Sequence, residues 1–225
     1  MSEPEDVLLE GAHAATTFVS RLWRRHVPGP PRVQLGDVRQ RLEVLLGAIF
    51  GEPPQIVPAE PAARPSFAGR IARRIPRHMI DEREHASTDG ERIRLPRAIE
   101  ARDGRDAVLA LYRLLAVQQG ARAARGTADV LSSTTEPLHR DLFLLSEAAA
   151  VDQWITTELP GMVAELCAAR RRALALRPAR RLLTDREWEV ERLVRALLEA
   201  HPAAAPAGIG GAAVACSPGE SLEWA

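Results

Sequence analysis

Asp89-Gly90-Glu91-Arg92-Ile93-Arg94-Leu95-Pro96 leads, after a short spacer, into a helical pattern from Asp103 to Arg125 that Gly126-Thr127 closes. Asp-Gly makes a tight turn because both residues tolerate positive φ, and the alternation after it sets Ile93 and Leu95 on one face opposite Arg92 and Arg94. This predicts a short, half-buried strand. The helix that follows carries Val108, Leu111 and Leu115 on one face with Leu114 beside it. Gly120 weakens its later half by about 1 kcal/mol relative to Ala, so a glycine there points to close packing.

Outward from this block the chain reads as further helices. The first runs from Pro4 through Val7, Leu8, Phe18 and Leu22 towards Arg25. The second is the most regular: Val38, Leu42, Leu45, Leu46 and Ile49 recur at helical spacing, with Asp37 placed to cap and Gly51 to stop it. Residues 52–65 are rich in Pro and Ala, lack periodicity, and read as a connector. A short basic helix, Phe67 to Ile75, ends at Pro76. Beyond the central helix, one starts at Pro137 and follows Leu138, Leu142, Leu145 and Ala149, looking central and buried. Another spans Met162 to Leu176, with Arg170, Arg171 and Arg172 in its last turns, where cations suit the dipole. A final one opens on a Thr184/Glu187 capping box, carries Val190, Leu193, Val194 and Leu197, and closes at His201-Pro202. The expected architecture is mainly α, an irregular bundle of about six helices with one short β segment near 89–96. Residues 1–201 form the helical domain, and 202–225, small residues with Pro and Gly, form a disordered tail.

Composition excludes several functions. The 225 residues carry 30 acidic and 30 basic groups, every basic one Arg, for a formal net charge of zero. A neutral chain has no global electrostatic attraction to nucleic acid or to an anionic membrane. The Lys-free, Ala- and Arg-rich composition is read more simply as GC-rich coding than as arginines chosen for phosphate. Cys167 and Cys216 have no metal-site spacing and offer a single possible pair, which fits a reducing cytosol better than a disulfide framework. The acidic start, Ser2 to Asp6, and the lack of a long apolar run argue against secretion and membrane insertion. The expected location is cytoplasmic.

The block from Asp89 to Thr127 resembles the N-terminal region of the NorD/CbbO-type proteins, and the likeness extends over roughly Val33 to Leu198. That family pairs a helical N-terminal domain with a C-terminal von Willebrand factor A domain and assists MoxR-type AAA+ ATPases. The resemblance implies a non-catalytic adaptor that recognises a target enzyme complex, Rubisco or nitric oxide reductase in the two named branches, while the AAA+ ring supplies ATP-driven work. The Asp-x-Ser-x-Ser metal motif of the von Willebrand A domain is not found; Asp129-Val130-Leu131-Ser132-Ser133 has the wrong spacing. Some members of the family carry His-x-x-x-His on the helix before the Gly-Thr pair, where this chain has Gln118 and Arg122, neither a credible zinc ligand. A degenerate zincin-like metallohydrolase scaffold, with Glu147 as a leftover acid, is therefore the alternative reading.

Individual residues suggest little further chemistry. His13, His26, His78, His85, His139 and His201 are scattered and lack the i, i+4 pairing of a metal site. Glu147 and Asp152, on one helix with Asp141, read as solvated surface acids. A chain without Lys cannot supply a P-loop lysine, so it is not itself the ATPase. Ser132, Ser133, Thr134 and Thr135 lie in no nucleophile elbow and read as a loop feeding the cap of the Pro137 helix. No catalytic residue, cofactor or metal is expected. The one candidate contact face is the basic cluster Arg70, Arg73, Arg74 and Arg77, suited to phosphate or to an acidic protein surface.

Overall fold

The computed structural model of the protein describes residues 31–52, 54–59, 85–133 and 136–202. Its strands are β1 (Arg32–Gln34), β2 (Gln55–Pro58), β3 (Ser87–Thr88), β4 (Arg92–Leu95) and β5 (Ala98–Glu100). The helices are α1 (Leu35–Phe50), α2 (Arg105–Arg125), α3 (Thr127–Ser133), α4 (Pro137–Glu158), α5 (Val163–Ala175) and α6 (Asp185–Glu199). Single 3-10 turns, Pro160–Met162 and Arg180–Leu182, precede α5 and α6. The domain is mainly helical, as its sequence predicts.

The strand expected after Asp89-Gly90 is β4, with Ile93 and Leu95 fully buried and Arg92 exposed. Asp89 Oδ1 accepts from the backbone of Glu91 and Arg92, 3.1 and 2.7 Å, and Gly90 takes φ +93° in the turn joining β3 to β4. The β structure is larger than this one segment. β2 pairs parallel with β4, stacking Ile56 beside Ile93, and β3 completes the sheet in the order β2-β4-β3. β1 and β5 form a second, antiparallel ribbon with Val33 opposite Ile99. β2 corrects the reading of 52–65 as an unstructured connector, and α3 corrects the reading of Ser132 and Ser133 as loop.

α2, rather than α4, is the central helix. It packs against α1, α3, α4, α5 and the β3-β4 hairpin, and its buried residues, Val108, Tyr112, Leu114, Ala116, Val117, Gln119, Gly120 and Ala121, run nearly around it. The Tyr112 hydroxyl lies 3.3 Å from Val33 O and 3.0 Å from Pro96 O, linking α2 to both sheets. Close packing at Gly120 is confirmed: a Cβ there would stand 2.6 Å from Phe50, whose ring stacks on Trp154 with centroids 5.6 Å apart. Gly126 ends α2 in the left-handed region at φ +74°.

Helix boundaries follow their caps, with two adjustments. Asp37 is not the cap of α1 but its third residue, where Oδ2 accepts from the Gln34 backbone at 3.3 Å. α2 begins at Arg105 after Gly104, leaving Asp103 outside to pair with Arg172. The Thr184/Glu187 capping box of α6 is present as read. The larger correction concerns α4, whose Leu138 is exposed and whose Leu142 and Leu145 are half-buried. Its buried face carries Phe143, Ser146, Glu147, Ala150, Val151, Asp152 and Ile155. The expected Pro4–Arg25 helix, the Phe67–Ile75 helix and the tail from residue 203 lie outside the described residues. Among the described residues no helix is long and apolar enough to cross a membrane.

Candidate functional site

Gln118, Arg122 and Arg125 fall on one face of α2, opposite the two buried acids of α4. Arg125 grips Glu147 with two parallel bonds, Nε to Oε2 at 3.1 Å and Nη2 to Oε1 at 2.8 Å. Because Gly126 turns the chain sharply, Thr127 begins α3 close enough for its hydroxyl to donate to the same Oε2 at 2.6 Å. Glu147 is completely buried, so this cage is what makes its charge tolerable there.

Asp152 is the second centre. Gln118 Nε2 donates to its Oδ1 at 2.9 Å from α2, and Arg170 of α5 donates Nε and Nη2 to its Oδ2 at 2.9 and 2.7 Å. The remaining end of Arg170, Nη1, reaches the Leu197 and Ala200 carbonyls at 3.0 and 2.8 Å, satisfying acceptors at the end of α6. One buried guanidinium therefore joins α4, α5 and α6. The sequence placed Arg170 at the end of its own helix dipole; its bonds go instead to the carbonyl end of the neighbouring helix. Glu147 and Asp152 are thus not a solvated pair, and each belongs to a different cation.

Arg122 lies between these centres and is differently placed. Its side chain makes no hydrogen bond or ion pair among the described residues, and its Nε is sealed from solvent without a partner. Burial pushes its pKa down, while the Asp152 and Glu147 charges pull it back up; an arginine nonetheless stays protonated in a protein. Three residues earlier on α2, the buried Gln119 Oε1 also lacks a partner. An unmet buried polar group costs about 1–3 kcal/mol.

A third buried acid, Glu191 of α6, is held by Arg177, whose Nε stands 3.0 Å from Oε1. Arg195 Nε approaches the same oxygen at 3.0 Å but off the line of a hydrogen bond, and its Nη2 donates to Pro178 O at 2.9 Å. Trp188 lies beneath both Arg180 and Arg195, 5.4 and 5.9 Å from their guanidinium carbons.

Chemically, each of these α4 carboxylates accepts at least three hydrogen bonds, against about four lone-pair directions. They are thereby engaged as acceptors by neighbours within the fold. The Ser132 and Ser133 hydroxyls bond back to the Asp129 and Val130 carbonyls, at 2.6 and 2.7 Å, within α3. Among the described residues no three His, Cys, Asp or Glu side chains gather into a metal-holding group. Cys167 is half-buried in α5. Arg70, Arg73, Arg74 and Arg77, with His13, His26, His78, Thr134, Thr135 and Cys216, lie outside the described residues.

The sequence reading singled out Gln118, Arg122, Glu147 and Asp152, and the structure brings them together. Arg125, Thr127 and Glu191 had no site role in that reading, and Arg170 had only a dipole one. The available signal was acids embedded in an apolar run: Leu144-Leu145-Ser146-Glu147-Ala148-Ala149-Ala150-Val151-Asp152 leaves them no polar face to occupy. Compared with known proteins, the chain matches no protein-family model, no curated protein and no solved structure.

Proposed function

We propose that this chain is a non-catalytic helical adaptor that works with a MoxR-type AAA+ ATPase on a target enzyme complex of the Rubisco or nitric oxide reductase type. The partner class rests on the resemblance of the Asp89–Thr127 block to NorD/CbbO-type proteins. The non-catalytic part is supported by one observation: the acids nearest the position where some members of the resembling family carry His-x-x-x-His are bound into guanidinium cages, Glu147 by Arg125 and Asp152 by Arg170. Such a cluster suits fixing helices in place better than moving protons. A pull-down from native lysate, using the full chain as bait, tests the reading. Enrichment of a AAA+ ring protein supports it, and its absence above a bait-free control defeats it. Replacing Arg70, Arg73, Arg74 and Arg77 by Glu should weaken the capture while helical content stays the same; equal yield would exclude that face.

The alternative, a degenerate zincin-like metallohydrolase scaffold, draws support from the convergence of Gln118, Arg122 and Glu147 at one partly buried cluster between α2 and α4. Metal analysis of the purified chain separates the two readings. Stoichiometric zinc would favour the scaffold reading and count against an adaptor with these residues.

A further inference from the structure

We propose that Arg122 is the recognition residue of a binding site for a single carboxylate group brought from outside the described fold. Around the buried Glu147 and Asp152 the three guanidiniums of Arg122, Arg125 and Arg170 meet two carboxylates, leaving one positive charge in excess in this cluster among the described residues. The pairing is not shared evenly. Arg125 and Thr127 hold Glu147, and Arg170 and Gln118 hold Asp152. The excess therefore sits on Arg122, which has no hydrogen bond or ion pair among the described residues. The side chain is only partly covered, so an approach from solvent remains open.

The ligand chemistry follows from that environment. A planar guanidinium matches the two oxygens of a carboxylate, and a monoanion cancels the excess without adding charge. A phosphate dianion would press a second negative charge towards Glu147 and Asp152, so it fits less well. The buried Oε1 of Gln119, three residues back on α2 and hence on a neighbouring part of its surface, offers an unmet acceptor to any N–H the ligand carries. An acidic side chain on a partner protein and a free small carboxylic acid share this chemistry. The inference does not depend on the ATPase partnership, since an empty pull-down and a carboxylate response are separate outcomes.

Thermal unfolding of the full chain in sodium acetate, against sodium chloride at equal ionic strength, tests the site. A saturable rise in melting temperature with acetate, smaller with phosphate and lost in Arg122→Gln, is the expected result. An uncharged-ended pentapeptide, Ala-Ala-Glu-Ala-Ala, distinguishes the source: half-saturation at least tenfold below acetate assigns a protein side chain, and parity assigns a small acid. Arg122→Lys keeps the charge but loses the fork, so the acetate response should weaken several-fold even if the Gln variant fails to fold. Indistinguishable acetate and chloride curves for the unmodified chain, or an unchanged response in either variant, would overturn the proposal.

Discussion

Arg170 places Nε and Nη2 on one oxygen of Asp152, at 2.9 and 2.7 Å, although the two residues belong to different helices and both are almost wholly buried. Removing either partner leaves the other as an uncompensated charge, which costs about 3–5 kcal/mol. Asp152→Ala should therefore be among the most damaging single changes in the chain. The double variant Asp152→Leu with Arg170→Met should lose much less than the sum of the single variants. Urea unfolding of the four proteins gives the coupling; an additive result would mean that the pair contributes little.

Phe143 and Leu142 are adjacent on α4 but differ in surroundings, the first fully buried and the second half-buried. Phe143→Ala should cost about 3–5 kcal/mol, as for other buried aromatics. Leu142→Ala should cost about half that or less, because part of its surface is already in water. Equal losses would put the buried face of α4 elsewhere.

At Gly120 two effects oppose one another. Alanine improves helix propensity by about 1 kcal/mol, yet its Cβ would stand 2.6 Å from the Phe50 ring and 3.2 Å from Leu46. Overpacking of this kind costs about 1–3 kcal/mol, and the stack on Trp154 limits how far Phe50 can withdraw. Gly120→Ala should lower the melting temperature. A rise would show that the ring yields easily.

The β3-β4 turn should respond to acid. Burial opposes ionisation of Asp89, but the Arg92 backbone N–H, the Arg94 guanidinium and the Glu91 N–H together hold its carboxyl below the ordinary value. A carboxyl lowered in the folded state supports stability at neutral pH and loses that contribution as pH falls through its folded value, because the unfolded chain takes up the proton first. Melting temperatures measured from about pH 6 to pH 2 should show a fall beginning below about pH 4 that is shallower in Asp89→Asn. Coincident slopes would remove Asp89 from the acid response.

Those parts of the fold governed by neighbouring residues were legible. The stripe from Val38 to Ile49, the Gly126 stop, the Thr184/Glu187 box and the Asp89-Gly90 turn each depend on groups within about one helical turn. What escaped is set by distant partners. Gln55–Pro58 is too short and Pro-flanked to show a period, and it becomes a strand because β4 lies beside it. β1 and β5 have three residues each. The inward face of α4 was misread because acids normally mark the solvent side, and only Arg125 and Arg170 reverse that rule. Gln118 and Arg122 were noticed through a family likeness, whereas the bonds around them required the fold.

The two acids of α4 acquire their cations at different moments of synthesis. Arg125 and Thr127 precede Glu147 in the chain, so that carboxylate can be matched as soon as α4 forms against α2. Asp152 has only the neutral Gln118 as a hydrogen-bond donor, with the Arg122 charge nearby, until Arg170 has also left the ribosome, and the carbonyls that orient Arg170, those of Leu197 and Ala200, arrive later still. A nascent chain ending before α5 would have to dock α4 with that buried carboxylate still lacking its bonded guanidinium. The bonded matching of the α4 charges therefore draws on the last two helices, although most apolar residues of the core precede them in the chain.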